Sequence, residues 1–220
     1  MNKAYRYQPF PNAEINWTWP MVIGIDPVNT VTGISKGDGI SHFAMAYALK
    51  SPYNKAIIAD GVVEKCSVDE AERHLVSAQK MYTGFERASI EMDGGGTLFI
   101  AMMRRNPGLR ISPHLTKEIA PGRKADRQYK FLEPLIRNGM IVVSDADTPF
   151  LNCFRRYLNN FPHFDDNAAE WDVGDAVTWA VFDMPEIWTQ IRTSTDARQD
   201  IWQKREMKRP AMEYIGGIHV

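Results

Sequence analysis

The run Met21-Val22-Ile23-Gly24-Ile25 carries no polar side chain and is closed by Asp26 and Pro27. A short, continuously apolar segment ended by proline suits a central strand buried on both faces, not an edge strand with one wet side. Such a strand needs cover on each face, and Asp26 then stands at its end, where a side chain leaves the sheet. With 220 residues the chain can build one well-buried α/β core with appendages and is short for two full domains.

The flanking pattern extends this core. Residues 1 to 20, with Pro9, Pro11, Pro20, Trp17 and Trp19, show neither helical nor strand periodicity and read as a lead-in or linker. After the turn Lys36-Gly37-Asp38-Gly39, residues 41–49 and 56–63 read as strands separated by Ser51-Pro52-Tyr53-Asn54, so three successive strands form an antiparallel meander. Ser67 followed by Glu70 is a capping pattern that opens a helix over 67–86. Strands are expected at 88–93, 109–112 and 140–143, and helices at 97–105, 123–137, 149–161 and 170–182. Pro134 should kink or restart the third of these five helices, and Gly139 should end it. A last polar helix is expected over 186–208. Meander followed by alternating elements describes a mixed sheet, antiparallel and then parallel, with helices on both faces. The expected organisation is a lead-in over 1–20, a domain over 21–185 and a C-terminal polar helix and tail over 186–220.

Composition narrows the function classes. Hydrophobic residues make up 44% and charged residues 24%, ordinary globular usage, and no segment has the apolar length of a bilayer span. The opening Met1-Asn2-Lys3-Ala4-Tyr5 has no secretory pattern, and a cytoplasmic, soluble chain without membrane contact is expected. Cys66 and Cys153 are the only cysteines, which excludes a disulfide framework and a four-cysteine zinc site. The five histidines form no metal-ligand pair; His163, before the acidic turn Asp165-Asp166-Asn167, is the one placed to approach a site among the carboxylates. No Gly-x-x-x-x-Gly-Lys-Ser/Thr loop occurs, so ATP hydrolysis by that route is not expected.

The net charge of −1 hides an asymmetry. From Arg104 to Arg137 there are nine Lys/Arg against three Asp/Glu; from Asn138 to Glu186 there are two against nine. This pairs a phosphate-binding surface with a carboxylate metal site, against the plainer reading of segregated solvated faces. Arg123, Arg127 and Lys130 fall at i, i+4 and i+7, one face of a helix whose other face carries Tyr129 and Leu132. Arg104 and Arg105 end a helix and complement its dipole.

Two-metal phosphodiester hydrolysis needs carboxylates converging on two divalent ions, and hard oxygen ligands suit Mg2+ or Mn2+. Asp26 at a strand end, Glu91 and Asp93 two apart on one strand face, and Asp172 and Asp175 three apart on one helical face are the candidates. Each alone is also an ordinary turn former or cap. Together they recur at element ends in the order a shared site requires.

Several stretches then resemble the nuclease domain of the large terminase subunit of tailed bacteriophages, a member of the ribonuclease H-like superfamily. They are Pro9-Phe10-Pro11 with Trp17 and Trp19 leading into Val22-Ile23-Gly24-Ile25-Asp26, Ser89-Ile90-Glu91-Met92-Asp93-Gly94-Gly95-Gly96, Arg123-Lys124-Ala125-Asp126-Arg127 before Leu135-Ile136-Arg137-Asn138-Gly139-Met140-Ile141, and Trp171-Asp172-Val173-Gly174-Asp175-Ala176. The resemblance covers roughly residues 9 to 183. It implies a ribonuclease H-like α/β fold and an endonuclease that cuts double-stranded DNA with low sequence specificity during viral genome packaging, leaving 5′-phosphate and 3′-hydroxyl ends. It further implies Asp26, Glu91 and Asp172 as catalytic metal ligands for two Mg2+ or Mn2+ ions, with Asp93 and Asp175 as further candidates. Arg123, Lys124, Arg127 and Lys130 would contact DNA. Partners implied are a motor domain, a small terminase subunit and a portal, in the host cytoplasm. The chain departs from the family pattern in having Glu170-Trp171 ahead of Asp172, and in lacking the motor half, as a separately encoded nuclease domain would. A Holliday-junction resolvase, a ribonuclease H and a non-catalytic DNA- or partner-binding module are the alternatives. The C-terminal helix, with Trp188, Ile191 and Trp202, could dock a protein in any of these.

Overall fold

The computed structural model describes residues 7–27, 42–92, 101, 104–106, 108–119, 124–165 and 168–189. Seven strands form one mixed sheet: β1 (Gln8–Phe10), β2 (Met21–Asp26), β3 (Phe43–Lys50), β4 (Ala56–Glu64), β5 (Phe85–Glu91), β6 (Ile111–His114) and β7 (Ile141–Ser144). Their order across the sheet is β1-β7-β4-β3-β2-β5-β6. The meander β2-β3-β4 is antiparallel, while β5 runs parallel to β2, β6 to β5, β7 to β4 and β1 to β7. Packed on the sheet among the described residues are the helices α1 (Val68–Met81), α2 (Lys124–Arg137), α3 (Pro149–Asn160) and α4 (Ala169–Phe182). This is the expected mixed sheet with helices on both faces.

β2 is buried at all six positions, as its apolar run requires. Alternation along β3 divides the core into two layers. Ala44, Ala46 and Ala48 face α2, α3 and α4, whereas Phe43, Met45, Tyr47 and Leu49 face α1. The α1 side is filled by large residues. The other side is lined by small ones because α4 lies almost on the sheet. Gly24 shows how close: a Cβ there would stand 1.9 Å from the Ala176 carbonyl oxygen and 2.3 Å from the Ala180 nitrogen. α4 is buried at ten consecutive positions, Asp172 to Val181, held between the sheet and the α2 and α3 helices. Phe150, Phe154 and Tyr157 of α3 fill the outer side of that layer.

Local signals place several boundaries. Ser67 and Glu70 form the full capping box at the start of α1, and Thr148 accepts from the Leu151 N–H before Pro149 opens α3. Gly139 takes a positive φ of 67° two residues after the end of α2, a conformation glycine adopts without strain. Cys153 and Cys66 are free thiols pushed up by burial, to about 12 and about 11, so both are neutral near pH 7.

Four sequence readings need correction. Residues 8 to 10, assigned to a structureless lead-in, pair with β7 as an edge strand, where proline's missing N–H costs no ladder bond. α1 stops at Met81 and not at 86, because Tyr82 stacks on Trp17 at 4.6 Å and the chain re-enters the sheet at Phe85. β6 lies two residues later than expected; Pro113 is accommodated because β6 is the opposite edge. α2 does not restart at Pro134 but continues through it to Arg137, with Leu132, Leu135 and Ile136 buried around it. The expected turn at 36–39 and most of the helices at 97–105 and 186–208 lie outside the described residues; residues 101, 104, 105 and 185–189 are helical. Among the described residues no helix is long and apolar enough to cross a membrane.

If the α4–β2 contact is as tight as this, Gly24→Ala should lower unfolding free energy by roughly 1–3 kcal/mol in urea titration. Gly108→Ala, where an added Cβ meets nothing within 4 Å, should change it by less than about 0.5 kcal/mol.

Candidate metal centre

Because side chains alternate along a strand, Asp26 projects to the same face as Gly24, toward α4. β5 is parallel to β2 with Ile25 paired to Ile90, so Asp26 and Glu91 emerge side by side at the strands' C-terminal ends. Asp175 comes down on them from α4, one residue before the Ala176 carbonyl that sits over Gly24. Asp26, Glu91 and Asp175 each offer a carboxylate oxygen within 4.8 Å of the others, and they are 7%, 8% and 1% exposed. Three buried, convergent carboxylates at this spacing fit a hard divalent cation such as Mg2+ or Mn2+.

The surrounding hydrogen bonds orient these groups. Trp179 Nε1 donates to Glu91 Oε2 at 3.0 Å, and Gln128 Nε2 donates to Asp175 Oδ1 at 2.6 Å and to the Trp171 carbonyl at 3.1 Å. Arg127 Nη2 lies 3.3 Å from Asp175 Oδ2 and 3.8 Å from Glu91 Oε1. A guanidinium and neutral N–H donors are thus among the groups that face the site's negative charge.

Beyond Trp179, His114 stacks nearly parallel to the indole, with centroids 5.7 Å apart, and its Nε2 lies 3.1 Å from Asp183 Oδ1. Burial pushes the Asp183 carboxyl up, but hydrogen bonds from His114 and Ser112 and the charges of His114 and Arg87 outweigh it and hold it below the usual carboxylate range.

The candidate residues are distributed as follows. Asp26 and Glu91 come together with Asp175, one of the further candidates. Asp172 stands one turn earlier on the same helix, 7% exposed, and is not in the 4.8 Å group; its Oδ2 accepts the His42 backbone N–H at 3.1 Å and lies 3.7 Å from His42 Nδ1. Asp93, Arg123 and the side chain of Lys124 lie outside the described residues. Lys130 is exposed, but Arg127 is only 8% exposed and faces the carboxylates. The expected division of α2 into a solvated basic face and a packed face with Tyr129 is reversed at two positions: Arg127 is inside and Tyr129, 57% exposed, is outside. Arg105 pairs with Asp69 and Glu72 of α1 instead of serving only its own helix end. His163 is exposed in the turn after α3.

Gln128, Trp179 and His42 were not among the sequence candidates. Trp179 carried a usable signal, since it follows Asp175 by four residues and Asp172 by seven, on one helical face. Gln128 and His42 carried none, because their partners lie 47 and 130 residues away.

If the amide of Gln128 orients Asp175, Gln128→Leu should leave a buried carboxylate oxygen and a carbonyl short of donors. A loss of about 2–4 kcal/mol in unfolding free energy is expected, read from the urea midpoint.

No protein-family model matches the sequence, and no curated protein matches it. The fold, however, is similar to solved structures. The large terminase nuclease from thermophilic phage G20c superposes with a TM-score of 0.53 at 12% identity, over 83% of this chain and 98% of that one. The large terminase of another thermophilic bacteriophage, solved in complex with ADP, gives 0.51 at 10% identity over 76% of this chain, which spans 37% of that protein's length. The yeast mitochondrial Holliday junction resolvase Ydc2 gives 0.49 at 12% identity, over 86% and 88% of the two chains. The chain has the ribonuclease H-like fold found in these large terminase nuclease domains.

Proposed function

We propose that this chain is a divalent-metal-dependent endonuclease that hydrolyses phosphodiester bonds of double-stranded DNA. The observation that carries the reading is the convergence of Asp26, Glu91 and Asp175 where the parallel strands end, with one oxygen of each within 4.8 Å of the others. The likeness in fold to the G20c large terminase nuclease supports it.

In this reading Asp26, Glu91 and Asp175 hold Mg2+ or Mn2+, and Asp172, on the same face of α4, extends the ligand set toward a second ion. When bound, the metal supplies Lewis-acid activation of water and of the scissile phosphate. The chain's own residues supply the rest. Trp179 and Gln128 fix the two carboxylates whose outer oxygens they bind, so the inner oxygens need no reorientation. The close seating of α4 on β2 keeps the acids' separation constant. Lys130 on the exposed face of α2, together with Arg123 and Lys124, the two further basic candidates of the sequence, contacts phosphates, which confers affinity with little sequence information. The products carry 5′-phosphate and 3′-hydroxyl ends. The biological setting that fits is viral genome packaging in the host cytoplasm, with a motor domain, a small terminase subunit and a portal as partners.

Supercoiled plasmid should be nicked and linearised in Mg2+ or Mn2+ and left intact in EDTA. Asp26→Asn and Asp175→Asn should each lower the rate by at least about a hundredfold while retaining the fold by circular dichroism, and Asp172→Asn should lower it as well. Folded wild type that is inactive on plasmid in either metal, but cuts four-way junctions or RNA–DNA hybrids, would transfer the reading to a resolvase or a ribonuclease H. Inactivity on all three substrates would overturn the nuclease.

A further inference from the structure

Two carboxylate oxygens of the centre face the same guanidinium. Trp179 takes Glu91 Oε2 and Gln128 takes Asp175 Oδ1; the other oxygens, Glu91 Oε1 and Asp175 Oδ2, both face Arg127 Nη2, at 3.8 and 3.3 Å. Arg127 comes from α2, outside the sheet and helix that carry the carboxylates. Its side chain is 10% exposed, beside carboxylates that are 11% and 2% exposed. Carboxylates this deep are costly without a positive charge nearby, and the guanidinium supplies one. A divalent ion using the same two oxygens would meet a like charge at contact distance.

We infer that Arg127 serves as a built-in counter-cation at this site, offsetting the charge of Glu91 and Asp175 until a divalent ion displaces its guanidinium. The inference rests on the metal-site reading above. Arginine suits the task because its charge persists at any working pH and its long stem can move aside without shifting the ligands. The neutral donors stay in place during the exchange, so the carboxylates keep their orientation while the cation changes. Metal affinity is then set partly by Arg127, a residue that binds no metal.

The test is Mn2+ titration of the full chain by calorimetry, with wild type, Arg127→Gln and Asp175→Asn, alongside thermal unfolding with and without the metal. Arg127→Gln should bind Mn2+ at least about tenfold more tightly than wild type, since the ion no longer has to break an ion pair. It should also melt lower than wild type without metal and gain more from Mn2+. Equal Mn2+ affinity in wild type and Arg127→Gln, with Asp175→Asn weakened, would overturn the counter-cation and leave the metal site standing. Mn2+ binding that Asp175→Asn does not weaken would instead overturn the site reading itself. Should Arg127→Gln fail to fold, wild type decides alone: the Arg127 Nε–H signal in 15N NMR should shift in step with Mg2+ saturation while that of Arg155, bonded to the Ser144 and Ala146 carbonyls, stays put. An Arg127 signal unchanged at saturation would overturn the proposal.

Discussion

The contact on which the rest of the structure depends is the seating of α4 on β2, backbone against backbone, through Gly24. With the Ala176 carbonyl occupying the place of a side chain at Gly24, the helix cannot rise from the sheet or slide along it without losing a buried, close-packed face. Two residues further along β2 stands Asp26, and one residue back along α4 stands Asp175. The distance between those carboxylates is thus set by main-chain packing and not by side-chain choice. The small face of β3, Ala44, Ala46 and Ala48, extends the same seat sideways, and the bulky α1 side of the sheet balances it.

Seating acids so deeply creates an electrostatic demand that the rest of the centre answers. Neutral N–H donors from Trp179 and Gln128 solvate two of the carboxylates without taking their place as cation ligands, and Arg127 contributes charge. The groups that orient the acids belong to well-buried helix faces, while Arg127, the group proposed to yield to a metal, is a long side chain. Trp179 itself is braced by His114, which is tied to Asp183 and through it to Arg87 on β5. Orientation is therefore carried outward in steps, each made by a buried ring or an ion pair.

Much of this was legible in the sequence because it rests on local chemistry. The apolar run before Asp26, the capping box at Ser67 and the glycine after α2 each name an element or its end. Asp26 and Glu91 were legible for the same reason, as acids at the ends of apolar strands. The choice between Asp172 and Asp175 was not, because both lie on one helical face and only the depth of α4 against Gly24 decides which reaches the other two. Charge counts misled on α2 for a related reason: Arg127 looks solvated by spacing, yet it is drawn inward by acids 36 and 48 residues away in sequence. The acidic segment after Asn138 was read as a site, but several of its members are structural. Asp145 accepts the Asn12 N–H, Asp147 the Asn152 amide, and Glu170 pairs with Arg156. Proline positions misled at Pro9, whose missing N–H an edge strand absorbs, and at Pro134, where the helix does not restart.

The central claim is that main-chain packing at Gly24 assembles a metal centre from Asp26, Glu91 and Asp175. Anomalous diffraction from crystals of the full chain soaked in Mn2+ tests it most directly. The account predicts a manganese peak within ligand distance of carboxylate oxygens from all three residues, about 2–2.6 Å for hard oxygen ligands. Crystals that take up manganese elsewhere, with these three carboxylates unligated and α4 still seated on Gly24, would contradict it.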